Sequence, residues 1–132
     1  MLLIKTKIGP SKVQGIGLFA DQFIPKGTVT WQYTPEYDAS FTEEQVMALP
    51  EYSKERFFDY SYFDKDLKKY VLCFDDLRFI NHSSKNYNIL SEPRKDIASK
   101  DIEQGEELLC NYNDYEEGYF ERRNMDQSRL ID

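Results

Sequence analysis

Histidine is all but missing from this chain: His82 is the only one in 132 residues. Cysteine is nearly as scarce, at Cys73 and Cys110, with no Cys-x-x-Cys spacing. One histidine and two separated cysteines cannot supply a tetrahedral zinc set, so no metal site is expected. Two thiols also make no disulfide framework; they read as buried and reduced, which places the chain inside a cell, in the cytoplasm or the nucleus. Positive charge is the minority, 17 basic against 24 acidic residues for a net charge of −7. A phosphate-neutralising surface needs Lys and Arg in excess, so nucleic acid is excluded as a direct partner. An acidic surface suits a basic, lysine-containing protein or peptide, and it also serves plain solubility. No apolar run approaches the ~20 residues of a membrane span, and Met1–Lys7 is too short for a signal peptide. Homo-oligomerisation is left open.

What is present fits one globular domain: 40% hydrophobic and 31% charged residues in a length with room for a single core. Ten Tyr, nine Phe and one Trp exceed what a small core needs, so some should line a pocket. There is no internal repeat. Residues 2–8 read as a strand broken at Gly9-Pro10-Ser11, Leu18-Phe19-Ala20 opens a second, and the β-rich run Thr28–Tyr33 is a third. Thr42-Glu43-Glu44-Gln45 has the form of a capping box, flanked by Phe41 and Val46, so a short helix starts near Glu43 and stops before Pro50. Ser53 is a cap for a second short helix carrying Phe57 and Phe58. Lys69–Phe74, Asp96–Ser99 and Glu107–Tyr112 read as strands, and residues 78–91 as a loop with short extended pieces. Tyr115–Arg123 has mixed helical features, and Asp126–Asp132 should fray. Many short strands with a few short helices define an α+β, mainly β, fold.

Three segments carry residues suited to chemistry. Gly15-Ile16-Gly17 lets a backbone approach a ligand closely, yet alone it reads as a plain hairpin turn; it lacks the third glycine and βαβ setting of a dinucleotide site. Arg78-Phe79-Ile80-Asn81-His82-Ser83 holds the only histidine, which serves as a general base only if a nucleophile and an orienting carboxylate converge on it. Gly105-Glu106-Glu107-Leu108-Leu109-Cys110-Asn111-Tyr112 is, alone, a turn and a strand ending in an aromatic.

In order and spacing the three together resemble the SET domain family of protein lysine methyltransferases, in a minimal form without flanking zinc clusters. The resemblance covers about residues 5–115, within a single domain of 1–132 that has a helical insert at about 41–60 and a tail at 116–132. It implies a SET fold of several small sheets with a C-terminal pseudoknot, an exception to unthreaded connections. It implies S-adenosyl-L-methionine as cofactor, bound by Gly15, Ile16, Gly17, the Asn81 side chain and the His82 backbone. It also implies that Tyr112 stands at the methyl-transfer pore, touching the cofactor and acting as the catalytic residue. Tyr33, Tyr60, Tyr62 and Cys110 are expected along the substrate channel. Cys110 stands where the family often has Phe or Tyr, and Ser84–Asn88 lacks the family's proline. With no zinc clusters, Tyr115, Tyr119 and Phe120 are expected to close the cofactor pocket.

The implied reaction is methyl transfer to a protein lysine. Its amine must be neutral, which at pH 7 costs roughly 4–5 kcal/mol for a free lysine. A cationic donor and a dry aromatic channel lower that cost, so no acid–base dyad is required. The alternatives are a non-catalytic module that binds the cofactor or a basic peptide, and a methyltransferase of small amines.

Overall fold

The computed structural model describes residues 1–126; the expected fraying of 127–132 lies outside the described residues. β1 (Thr6–Pro10) and β2 (Ile16–Ala20) form an antiparallel hairpin, in register from Thr6↔Ala20 to Pro10↔Ile16. β1 is therefore shifted from the 2–8 read in the sequence, and Gly9 and Pro10 lie within it. Proline is tolerated there because the strand is at an edge, in a two-stranded sheet. The hairpin turn closes through Ser11, whose N–H donates to the Gly15 carbonyl at 2.9 Å. Gly15 sits at φ +51°, where a side chain would be strained.

β3 (Val29–Gln32) belongs to a five-stranded sheet with β7 (Asn81–His82), β8 (Ile89–Glu92), β9 (Lys95–Ala98) and β10 (Leu109–Cys110), in the order β3-β9-β8-β10-β7. A third sheet, β4 (Ala39–Phe41), β5 (Ser61–Asp64) and β6 (Lys69–Leu72), has the order β4-β6-β5. α1 (Glu43–Met47) starts on the expected capping box: Gln45 N–H donates to Thr42 Oγ1 at 3.2 Å, and Thr42 N–H to Gln45 Oε1 at 2.8 Å. α2 (Glu51–Tyr60) corrects the Ser53 cap. It starts at Pro50, which needs no N–H there, and Ser53 lies inside its first turn.

The topology confirms the threaded end. β10 lies between β7 and β8 and is parallel to both, so the chain at 109–110 passes between two segments joined by residues 83–88. Asn88 clamps it: its side-chain amide donates to the Glu107 carbonyl at 2.9 Å and its Oδ1 accepts from the Leu109 N–H at 2.9 Å. Ser83 N–H donates to the Cys110 carbonyl at 3.0 Å. The strand expected over 107–112 is thereby cut to two residues, and Tyr112 opens α3 (Tyr112–Tyr115), followed by α4 (Tyr119–Arg122). Leu18, Ile24, Trp31, Ile89, Ile102, Leu108 and Cys110 form the core on which this knot is tied.

Candidate active site

Two cavities of about 340 and 360 Å³ meet at Tyr112. Both are of a size that takes a small molecule or a side chain. The first is lined by residues of β3, β5, β9, β10, α3 and the 3-10 turn Asp76–Phe79, including Trp31, Tyr62, Asp96, Cys110 and Tyr115. The second is lined by Gln14, Gly15 and Ile16 of the hairpin turn, by Phe79, Ile80 and Asn81, and by Arg56 and Arg78. Tyr60, Asp59, Arg78, Ile80, Tyr112 and Tyr119 face both.

Tyr112 is fixed at this junction from three sides. Its hydroxyl donates to the Ile80 carbonyl at 2.6 Å, and its backbone N–H donates to His82 Nδ1 at 3.1 Å. The third side is aromatic, with Tyr119 at 4.6 Å and Phe120 stacked at 6.1 Å between centroids. Burial pushes the Tyr112 phenol well above its ordinary range, so it stays protonated at neutral pH.

The hairpin turn is held by a polar knot. The Asn81 Nδ2 donates to the Gln14 carbonyl at 3.2 Å, the Ile16 carbonyl at 3.1 Å and Glu107 Oε1 at 3.1 Å. Gly17 is needed here, since a Cβ at that position would stand 2.2 Å from Glu107 Oε1. The Asn81 amide nitrogen is thus engaged within the protein. It reaches the cavity wall as the residue that fixes the turn.

The tail seals the aromatic side. Arg123 Nη1 donates to Glu116 Oε1 at 2.7 Å, with both side chains nearly fully buried. The same guanidinium donates to the Ser61 carbonyl at 3.0 Å and the Phe58 carbonyl at 3.2 Å, and lies 3.8 Å from the Tyr119 ring centroid. Glu116 Oε2 accepts from the Phe63 N–H at 2.9 Å. A buried pair with its remaining valences satisfied ties 116–123 to α2 and β5. Burial, set against the Arg123 charge, pushes Tyr119 up to about 12.

Of the expected site residues, Gly15, Ile16, Asn81 and Tyr112 line the second cavity, and Tyr60, Tyr62, Cys110 and Tyr112 the first. Tyr119 borders both, Tyr115 the first, and Phe120 packs behind Tyr112 against His82 at 4.9 Å. Three of the expected residues lie away from the lining of the two cavities. Tyr33 lines neither cavity; it follows β3 and packs on the core. Gly17 lies behind the turn, against Glu107. His82 lines neither cavity: β7 is covered by β10 and the tail, so its ring is buried among aromatics. Sequence reading missed Trp31 and Asp96 in the first cavity and Arg56 and Arg78 in the second. Asp96 had a signal, since alternation in Lys95-Asp96-Ile97-Ala98 puts a charge on the same inward face as Ala98. Arg123 and Glu116 had none, because their partners are remote in sequence.

This constellation, a glycine turn and a threaded tyrosine strand meeting at one junction, is that of a SET-type methyltransferase fold. A family model described as SET domain matches residues 15–113, and the chain belongs to that family. Among solved structures, the polycomb repressive complex 2 of Chaetomium thermophilum bound to S-adenosylmethionine, in an autoinhibited conformation, is similar with a TM-score of 0.67 at 23% identity, over 90% of this chain and 16% of that chain. A crystal structure of the same fungal complex gives 0.66 at 23%, over 88% and 16%. An active polycomb repressive complex 2 in the basal state gives 0.64 at 26%, over 86% and 16%. The chain spans about a sixth of the length of these chains. No curated protein matches significantly.

Proposed function

We propose that this protein transfers a methyl group from S-adenosylmethionine to a lysine side chain of a basic protein. The single observation that carries the reading is the meeting of two cavities at one buried, doubly anchored tyrosine. SET methyltransferases use S-adenosylmethionine, and the second cavity suits it. Arg56 and Arg78 offer cations to a carboxylate, Asp59 offers an anion to an amine, and Phe79 and Tyr60 offer aromatic surface. Gly15 leaves the backbone open, with nothing within 4 Å of where its Cβ would be. The cofactor supplies the methyl group as an electrophile beside a positive charge.

The chain's residues supply position and dryness. Because the Tyr112 proton is engaged by the Ile80 carbonyl, its phenol oxygen is left as an acceptor for an amine N–H. That contact aims the nitrogen lone pair without removing a proton, and holding two reactants in line supplies much of the rate. Burial keeps Tyr112 from acting as a phenolate base. The wall of Trp31, Tyr62 and Tyr115 excludes water, which favours the neutral amine. The exposed part of the first cavity's lining suits a basic partner: Asp59, Asp66, Glu92, Asp114 and Glu117 outnumber Lys65, Arg78 and Arg94.

The test is transfer of a labelled methyl group to protein from a lysate of the source cells, followed by mapping of the modified residue. Label on a lysine that a Tyr112→Phe variant fails to modify supports the reading. Cofactor binding with no labelled protein leaves the binding module, and label only in small molecules leaves the small-amine enzyme.

A further inference from the structure

The last turn of α2 faces both cavities. Arg56, Asp59 and Tyr60 stand three and four residues apart, so their side chains share one side of the helix. Arg56 Nη1 donates to Asp59 Oδ2 at 2.9 Å, and Arg56 Nη2 donates to the Tyr60 hydroxyl oxygen at 2.5 Å. One guanidinium therefore holds an acid and a phenol. Arg56 lines only the second cavity, whereas Asp59 and Tyr60 line both. The Tyr60 ring stands edge-on to Phe79 at 5.6 Å, and Phe79 belongs to the second cavity. The Arg56 and Asp59 side chains are 49% and 47% exposed. Exposed helical pairs of this kind are weak, so a ligand with better partners can take them apart. Asp59 is the one acid among the described residues lining the second cavity, and it is paired with Arg56; Arg78, the other arginine there, lies over the Phe79 ring at 5.3 Å. A cation and an anion side by side are the complement of the carboxylate and ammonium of an α-amino acid.

We propose that this turn couples the two cavities: an amino-acid ligand in the second cavity opens the Arg56–Asp59 pair, and the Tyr60 hydroxyl that Arg56 lets go is free to serve the first. The coupling rests on the methyltransferase reading in taking the amino-acid end of S-adenosylmethionine as that ligand and a basic substrate as what Tyr60 then meets. The ligand carboxylate takes the guanidinium and its ammonium takes Asp59. Two opposite-charge pairs replace one, and no charge is left alone. Tyr60 loses its donor, so its oxygen becomes an open acceptor at the wall that both cavities share. A ligand shifts a second site only through contacts that differ between two states, and the contact that differs here is the one from Arg56 to Tyr60. Coupling is reciprocal, so an occupied first cavity tightens the second by the same factor. Cofactor bound first prepares the wall against which the substrate is received.

Calorimetry on the whole protein tests both halves. S-adenosylhomocysteine, which cannot give a methyl group, is compared with its decarboxylated analogue. Loss of the carboxylate should weaken binding about tenfold in the unaltered protein and in Arg78→Gln, and less than about threefold in Arg56→Gln. A tenfold loss that persists in Arg56→Gln, or no binding of S-adenosylhomocysteine, overturns the assignment. An alternating lysine–alanine octapeptide, acetylated and amidated, is then titrated with and without saturating S-adenosylhomocysteine. It should bind about threefold tighter or more with the ligand present, and both Arg56→Gln and Tyr60→Phe should remove that gain. Equal affinity with and without ligand, a gain that survives in Tyr60→Phe, or no peptide binding overturns the coupling. Coupled binding with no methyl transfer keeps the turn's role and removes the enzyme reading; methyl transfer with no coupling does the reverse.

Discussion

The hydroxyl of Tyr112 donates to the carbonyl oxygen of Ile80 at 2.6 Å, and both residues border the two cavities. The tyrosine thereby locks the segment before the Asn-His pair to the end of the threaded strand. Its proton faces protein and its oxygen remains an acceptor. Tyr112→Phe removes that oxygen and leaves the ring packing, so turnover should drop about 100-fold or more while the dissociation constant for S-adenosylmethionine changes less than about threefold. Single-turnover methyl transfer and calorimetry measure the two separately. Turnover near that of the unaltered protein would remove Tyr112 from the reaction.

The glycine turn is prepared for its ligand by Asn81 and Glu107 rather than by its own sequence. Asn81→Ala removes the donor to the Gln14 and Ile16 carbonyls, and Glu107→Ala removes the carboxylate packed against Gly17. Each loss should cost about 1–2 kcal/mol of turn order and weaken cofactor binding about tenfold. The double variant should be little worse than either single one, because the two act on one turn. Additive losses by calorimetry would mean that the two side chains act separately.

Local signals in the sequence carried far. The capping box at Thr42–Gln45 needs only four adjacent residues, and it forms as written. The motifs around Asn81 and Tyr112 were legible because their members are close in sequence. What escaped depended on distance. β5 follows α2 without a break, and only its pairing with β6 makes it a strand. The burial of the His82 ring against Phe120 was not legible, because nothing local shows that contact. Nothing near Arg123 in sequence shows its partners at Phe58 and Ser61.

That arginine gives the third prediction. The Arg123–Glu116 pair joins the tail to α2 and β5 and holds Tyr119 beside Tyr112. Removing one partner strands the other charge in a buried site, at a cost of about 3–5 kcal/mol. Arg123→Ala should lower urea stability by that amount and weaken cofactor binding. Arg123→Met combined with Glu116→Leu should recover most of the stability, since apolar groups of similar volume replace a buried pair with little loss. If the single variant is as stable as the parent, the tail is not what closes the site.

Asp96 sets the last prediction, on stability rather than binding. Burial raises its folded pKa to about 7, against about 3.9 for an unfolded chain. Between those values the folded protein holds a proton that the unfolded chain has released. By linkage, stability is full below about pH 4 with respect to this group and declines as pH rises through 7, by about 4 kcal/mol in all. Asp96→Asn keeps the shape and removes the charge, so it should stabilise the protein at pH 8 by a few kcal/mol and have little effect near pH 4. Urea unfolding of both forms at the two pH values measures the difference, and equal gains at both would show that the carboxylate is not carrying a buried charge.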